Sequence, residues 1–588
     1  MPPTPPPRLV ALPGTERAPV PGARAIGPTP PDELLRVSVH LRARAALPDP
    51  ALLGAVPVDA RPAALTREEF AERYGASDAD IAAVRALAAA AGLRVVEEHV
   101  ARRTVVVEGT AAAIERAFDV RLSRFVHADG TEYRGRVGPV HVPESLAHAV
   151  DGVFGLDTRR TARPNAIIRP LPVGTARAAA APRAWFTPPE LGTLYGFPAG
   201  DGAGQCIGII EFGGGFDTND LTTYWGELQV APTPTVVAVP VGTATNAPGK
   251  DPDSDGEVML DIEVAGSLAP RATLAVYFST FTQQGWVDAL TTAVHDTTHR
   301  PSVLSISWGF AEGHLTWTAA ATKAVNDTLQ AAALLGVTVC VASGDDGSTD
   351  EVSDGQAHVD FPASSPYVLG VGGTALVADA ARTRITAETV WNGGPRATGD
   401  GAGGGGVSSV FPLPAFQAHA NVPPSVNPGH KPGRGVPDVA ANADPRTGYF
   451  IRTSGQDSVA GGTSAAAPLW AALLARINAS GDRPVGYITP LLYASAGAAG
   501  CRDITQGNND PTGKIGGYAA GPGWDACTGW GSPNGAALGP ALRTGAATTV
   551  ASGTPATGTP ASGTSEGHAH GHGHGHHPGT PAGGAPAS

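Results

Sequence analysis

The sequence predicts an α/β protein in two folded parts: a ferredoxin-like α+β unit, then a larger domain with a parallel sheet flanked by helices on both faces. Three observations carry this. Over about 120 residues from Leu35, strand-like and helical stretches follow the order β-α-β-β-α-β. From Gln205 onward, unbroken apolar runs are separated by helical stretches, the pattern of strands buried on both faces. Stretches rich in Pro, Ala and Gly, without periodicity, flank and separate the two parts. At 588 residues with 42% hydrophobic content, the chain exceeds one ordinary domain and can fill more than one core.

Residues 1–34 form a Pro-rich leader, expected to be disordered. Residues 35–160 make the first unit. Residues 37–41 alternate like a strand, and 66–74 and 79–92 read as helices, the second with Asp78 or Asp80 able to cap its start. Strands follow at 94–100 and 103–107, then a helix at 110–118 and a strand at 120–125 that ends in the turn Asp129-Gly130. Residues 161–183 read as an exposed linker carrying Arg169 and Arg177, a natural place for proteolytic nicking. The second domain spans 184–545, with apolar strands at 205–211, 272–278, 303–307 and 337–342 and helices at 285–296 and 318–335. The remainder, 546–588, is a low-complexity tail ending in a run of histidines from His568 to His577. Such a tail is solvated, a loose metal binder, or a remnant of engineering.

Charge is unevenly spread. Residues 1–179 carry a net +3 and the rest −16. An acidic body excludes nucleic acid as the expected partner and makes the two parts candidate partners of each other. No apolar run approaches the ~18 residues of a membrane-spanning helix. The start at Met1 lacks the apolar core of a secretory signal, so no export route is evident there. Among four cysteines, Cys206 and Cys340 lie in apolar runs and read as buried thiols, while Cys501 and Cys527 flank one loop-rich segment and could pair.

The run Gly461-Gly462-Thr463-Ser464-Ala465-Ala466-Ala467-Pro468 leads into an apolar helix. A serine at a helix mouth has fixed N–H donors beside it, which suits a nucleophile whose attack creates an oxyanion. It equally suits an ordinary N-cap. A serine nucleophile needs a base. Outside the tail the second domain offers His295, His299, His314, His358, His419 and His430, none in a His-Gly-Thr-His context. Carboxylates answer better: Glu257 and Asp261 are four apart in a helix expected from about Asp255 to before Pro270, and so share a face. Two buried carboxyls that close hold a proton more tightly than in water, which suits proton transfer in acid, where a histidine is already protonated. Against this, Ser254-x-x-Glu257 matches a capping box. Asp345, after the strand ending in Ala342, is placed either to donate a proton-borne hydrogen bond to an oxyanion or to make an Asp-Gly turn.

Glu257-x-x-x-Asp261, Ser343-Gly344-Asp345 and Gly462-Thr463-Ser464-x-x-x-Pro468, in this order, resemble the sedolisin (serine-carboxyl peptidase) family, in its kumamolisin-like branch with an N-terminal activation domain. The resemblance covers about 35 to 545. It implies a subtilisin-like fold, endopeptidase activity in acid, and a triad of Ser464, Glu257 and Asp261 with Asp345 as the oxyanion acid. It implies that Glu211 and Trp308 extend the carboxylate network and that Ser307-Trp308-Gly309 is the edge strand that pairs with substrate backbone. It implies one structural Ca²⁺ at Asp503, Asp525 and the carbonyls of Ile504, Gly521 and Gly523, oxygen donors suited to that ion. Asp360 falls in a stretch similar to the substrate-pocket wall, where a carboxylate would favour Arg or Lys just before the cleaved bond. The expected protein is thus a secreted, monomeric, self-processing zymogen acting on proteins and peptides, inhibited by its own activation domain. A catalytically dead binding relative and a neutral-pH subtilisin-type protease are the alternatives. The first is disfavoured by intact catalytic positions, the second by the missing histidine.

Overall fold

The computed structural model describes residues 8–172, 183–313 and 315–545; Arg177, His314 and the His-rich tail lie outside the described residues. The first unit is built on a four-stranded antiparallel sheet in the spatial order Arg94–His99, Thr104–Thr110, Leu34–Leu41, Val150–Phe154. Helices Asp78–Ala91 and Ala111–Phe118 lie between its first and second and its third and fourth strands in sequence, which gives the ferredoxin-like topology. Ile81, Val84, Ile114 and Phe118 from the helices join Val37, Val39, Val105 and Val107 from the strands in one core. Ser77, rather than Asp78 or Asp80, caps the first helix: its Oγ accepts from the Asp80 N–H at 3.1 Å, and both aspartates sit in the first turn, where their charge meets the helix dipole.

Two expectations for this unit are corrected. The leader is not disordered over residues 8–34. Leu9–Ala11 pairs with His141–Pro143, and Arg24–Pro28 with Ser123–Val126. Edge strands tolerate proline because one row of their N–H groups needs no partner, so a Pro-rich composition did not preclude pairing. The fourth strand of the main sheet is Val150–Phe154. The stretch expected to fill that role, residues 120–125, instead leads into Ser123–Val126, which belongs to a separate three-stranded sheet with Arg24–Pro28 and Glu132–Gly135.

Seven strands of the second domain form one path: Thr235–Pro240, Thr273–Ser279, Cys206–Phe212, Val303–Ile306, Thr338–Ala342, Leu369–Ala378 and Ile385–Val390, with an eighth, Val439–Asn442, pairing beside Leu369–Ala378. All neighbours run parallel except the antiparallel pair Leu369–Ala378 and Ile385–Val390. Helices Pro252–Leu268 and Thr463–Ala479 pack in one apolar cluster with Ile207, Ile209 and Val276. Gln283–Val294 and Ala319–Leu334 pack in another with Ile210, Ala275 and Leu304. Successive residues of a strand point to opposite faces, so the sheet is covered on both. In such a sheet the loops at the carboxyl ends of the strands hold the site, and Glu211, Ser307 and Asp345 all lie there.

Ser38 and His40 alternate with Val37 and Val39, so they leave the ferredoxin-like core and face the second domain. Ser38 Oγ donates to Asp288 Oδ2 at 3.1 Å and accepts from Gln284 Nε2 at 3.0 Å. The opposite net charges of the two parts do not organise this interface. Arg17 and Arg67 reach across it to main-chain carbonyls of Leu315, Thr316, Val294 and Pro301. Among the described residues, the ion pairs recorded from residues 8–160 to the second domain place the acid on the first unit: Asp151 with Lys323, Glu68 with Arg300, Asp59 with Arg543.

Candidate active site

The helix Pro252–Leu268 begins earlier than expected. Asp251 is its N-cap, accepting from the Ser254 N–H at 3.3 Å. Ser254 is therefore inside the helix, no capping box forms, and Glu257 is left for another use. Ser464 is likewise not an N-cap. The helix Thr463–Ala479 starts after Gly462, whose φ of 111° favours glycine, and Ser464 is its second residue. Pro468 lies beyond the first turn and cannot donate to the Ser464 carbonyl. Ser307 Oγ stands 3.3 Å from that carbonyl but donates its one proton more closely to Asp261 Oδ1, at 2.8 Å.

The result is a chain of carboxyls with no cation bonded to it among the described residues. Glu257, Asp261 and Glu211 are each 0% exposed. Trp308 Nε1 donates to Glu211 Oε2 at 2.8 Å, while Glu211 Oε1, Asp261 Oδ2 and both oxygens of Glu257 have no hydrogen-bond partner among the described residues. Burial pushes all three well above the usual carboxyl range, helped for Glu257 by Asp261, for Asp261 by Glu211, and for Glu211 by Glu257. Ser464 works the other way on Glu257, favouring its ionised form. The Ser464 hydroxyl itself rests on the Ser307 carbonyl at 3.1 Å.

Asp345 is no Asp-Gly turn. Its Oδ1 accepts from Thr463 N at 2.8 Å and Thr463 Oγ1 at 2.9 Å; its Oδ2 is buried and unpartnered. Burial pushes its carboxyl up to about 7. A Cβ at Gly462 would collide with that Oδ2 and with the Asn165 carbonyl oxygen, so glycine is required where these two oxygens converge.

Asn165 shows what the cleft holds. Over its described residues 161–172, the segment expected to be an exposed linker is instead laid through it. Arg163–Pro164 pairs antiparallel with Gly309 and Trp308, and Asn165 N donates to Ser307 O at 3.1 Å. Ser464 N donates to the Asn165 carbonyl at 2.9 Å. Beyond it, Ile167–Pro170 pairs with Gly461 to Ser458. Ile168 closes over Gly256, where a Cβ would meet its Cδ1. Arg169 is fixed by pairing with Val459 and by an ion pair with Asp400. The Asn165 carbonyl thus lies against the serine N–H and beside the free oxygen of Asp345, with main chain held on both sides.

Asp360 is buried in the same cleft wall, its carboxylate against Gly309, with both oxygens unpartnered. Sequence reasoning missed Arg163 and the acids around it, Asp346, Asp350 and Glu351. The acidic run after Asp345 was the available signal.

At the proposed metal loop, Asp503 and Asp525 face one turn: Gly523 N donates to Asp503 Oδ2 at 2.9 Å and Gly521 N to Asp525 Oδ2 at 3.2 Å. Burial pushes Asp525 up to about 6. Ile504, between them in the loop, is buried. Two carboxylates hydrogen-bonded to one glycine turn are hard-oxygen donors of the kind that suits Ca²⁺, with Asp525 Oδ1 also accepting from Cys527 N, Thr528 N and Thr528 Oγ1. Among the described residues no group of three or more His, Cys, Asp and Glu gathers as a metal site, so main-chain carbonyls would have to complete it. Cys501 and Cys527 are not joined; Cys527 Sγ donates to the Tyr518 carbonyl at 3.0 Å. No helix among the described residues is long and apolar enough to cross a membrane.

Residues 21–159 match the family model "Pro-kumamolisin, activation domain", and residues 241–490 match "Subtilase family". The chain is 53% identical to kumamolisin of Bacillus sp. (strain MN-32) over 81% of its length and 86% of that protein. It is 30% identical to sedolisin of Pseudomonas sp. (strain 101), over 82% of each chain. Among solved structures, Pseudomonas sedolisin, a serine-carboxyl proteinase complexed with two molecules of pseudo-iodotyrostatin, superposes with a TM-score of 0.53 at 30% identity. That match covers 62% of this chain and 99% of the other.

Proposed function

This chain belongs to the sedolisin family of serine-carboxyl peptidases and is a serine peptidase made as a zymogen, and we propose that it cleaves proteins and peptides in acid, with Glu257 in place of a histidine. The observation that carries the reading is the Asn165 carbonyl on the Ser464 N–H at 2.9 Å, with the free Asp345 oxygen beside it.

The chemistry follows from these positions. Ser464 Oγ turns from the Ser307 carbonyl to Glu257, gives up its proton there, and attacks the carbonyl carbon. Serine–base contacts tighten in the reacting complex, so the looser arrangement here is no obstacle. The oxyanion forms between the Ser464 N–H and a protonated Asp345 Oδ2, a carboxyl that burial keeps neutral in acid. Glu257 returns its proton to the leaving amine, and an acyl group stays on Ser464. Water gives a proton to Glu257 and adds to the acyl carbon; the bond to Ser464 Oγ then breaks and Oγ takes that proton back, restoring both groups. Asp261, oriented by Ser307, and Glu211, oriented by Trp308, share protons with Glu257 and tune when it ionises.

The first substrate is the chain itself, cut between Asn165 and Ala166, which makes residues up to Asn165 an intramolecular inhibitor until acid exposure. Asp360 is proposed to favour a basic side chain just before the cleaved bond, because its buried carboxylate lies against Gly309 in the cleft wall with both oxygens unpartnered. Asp503, Asp525 and the carbonyls of Ile504, Gly521 and Gly523 would hold Ca²⁺, which would supply a cation to a buried loop carboxylate and no step of the reaction. We propose that it works outside the cell, where an acidic medium would activate it, and as a monomer. Acidification of the full chain followed by N-terminal sequencing tests the reading. A new terminus at Ala166, absent in Ser464→Ala, is expected; processing that survives Ser464→Ala would overturn it.

A further inference from the structure

Within residues 345–351 the loop after Thr338–Ala342 carries four acids, Asp345, Asp346, Asp350 and Glu351, of which the mechanism uses only the first. The other three gather on one guanidinium. Arg163 Nη2 donates to Asp350 Oδ1 at 2.5 Å and to the Asp350 carbonyl at 3.2 Å; Nη1 pairs with Glu351 and lies 3.4 Å from Asp346 Oδ2. The guanidinium stands 5.3 Å from the Phe310 ring centroid. Its side chain is 11% exposed and that of Asp350 2%, so this pair is desolvated, while Glu351 at 63% is a rim contact. Asp360 and Asp345 add to the field, and together the acids hold Arg163 above its ordinary pKa despite burial.

Arg163 has a defined place in the cleft. Counting Asn165 as the first residue on the acyl side, Arg163 is the third, and its backbone is paired with Gly309 in the register a substrate would take. Once the amino-terminal product leaves, the acids face open cleft beside an aromatic ring.

We infer that Asp350, with Asp346 and Glu351, is a specificity subsite of the processed enzyme that selects arginine as the third residue on the acyl side of the cleaved bond. The inference rests on the peptidase reading above and adds the substrate class. A guanidinium satisfies several acceptors in one plane, as Arg163 does, so arginine is preferred over lysine. A neutral side chain leaves buried carboxylates unpaired, and an acidic one is repelled, so the subsite both attracts and rejects. The linker arginine is then a built-in copy of the preferred substrate.

The test uses processed enzyme and quenched fluorescent peptides that share Pro-Asn-Ala-Ile after one varied position: Arg, Lys, norleucine or Glu. Assays at pH 6 match the value of about 6 to which burial pushes Asp350 with a guanidinium seated against it. We expect kcat/KM to fall in that order, with Arg at least tenfold above norleucine. Asp350→Asn should bring that ratio within about threefold. If Asp350→Asn does not mature, the parent series still decides. Equal cleavage of all four peptides by the parent overturns the subsite and leaves the peptidase reading standing. An Arg preference that survives both Asp350→Asn and Asp346→Asn overturns it too. Failure to cleave any peptide, even at pH 4, brings down both.

Discussion

Raising the pH from 4 to 7 should destabilise this fold, and Asp345 shows by how much. Its carboxyl is fully buried and pushed up to about 7 from an ordinary value of 3.8. The folded state therefore binds this proton when the unfolded chain has already released it, and stability falls as pH rises through that window. At about 1.4 kcal/mol per pH unit, the proton contributes up to about 4 kcal/mol at pH 4 that is gone by pH 7. Glu211, Glu257 and Asp261 are shifted the same way and add to the slope. His40 and His295, buried neutral, oppose this over the same window because the unfolded chain takes up their protons below about 6.5, but they are two against these four carboxyls and the equally raised Glu263 and Asp360. Carboxyls held low, such as Glu98 and Asp379, are mostly solvent-facing and oppose weakly. The assay is urea unfolding of the Ser464→Ala chain, which cannot nick itself, followed by tryptophan fluorescence at pH 4, 5.5 and 7. Asp345→Asn on that background should remove about one proton's worth of slope. A stability that rises from pH 4 to 7, or a slope unchanged by Asp345→Asn, would refute the buried-proton reasoning.

The remaining predictions concern catalysis, metal and release. Glu257→Gln should fold normally, as judged by circular dichroism, and lose about three or more orders of magnitude in kcat, because an amide cannot carry the proton; near-parent turnover at pH 4 would reduce Glu257 to a structural residue. Chelation should lower the melting temperature of the processed enzyme, since an ion bound only by the folded loop stabilises by mass action, and an unchanged melting curve would count against Asp503 and Asp525 as ligands. Acid release of the activation domain should depend on His40, whose ring nitrogens are buried without partners near His295, Arg102, Arg103 and Lys323. Burial holds His40 well below its ordinary value and His295 down to about 3, so separation of the domains takes up protons and is favoured as pH falls below about 6.5. Asp288, pushed up to about 6, opposes this. Co-elution of the cleaved activation domain with the enzyme should drop between pH 6.5 and 4, less so in His40→Gln; retention independent of pH would contradict the switch.

What the sequence showed and hid follows a physical line. Ser464, Glu257, Asp261 and Asp345 were legible as a candidate set because the proposed roles admit few residue types and each motif is local. The apolar strands were legible because burial on both faces leaves no room for polar alternation. Residues 8–34 were misjudged because proline content says little about an edge strand, whose partner lies more than a hundred residues away. The strand Val150–Phe154 was passed over because a nearer segment had the same alternation. The linker was misread for a deeper reason. Nothing in Arg163-Pro164-Asn165-Ala166 favours an ordered conformation by itself; Trp308, Gly309 and the Ser458 to Gly461 strand impose one. Arg163 then looked like one arginine among many until its three acids converged on it. Net charge misled similarly: +3 against −16 suggested attraction across the interface, yet the arginines there bind carbonyls.

The central claim is that a carboxylate, not an imidazole, is the base for Ser464. The rate of peptide hydrolysis by processed enzyme against pH, from 3 to 8, tests it most directly. A carboxylate base with a protonated Asp345 beside the oxyanion predicts a bell with substantial activity at pH 4 and an alkaline fall that begins by about pH 7, as Asp345 ionises. A profile negligible at pH 4 that rises through about 6.5 to a neutral plateau is the signature of a histidine base and would contradict the account.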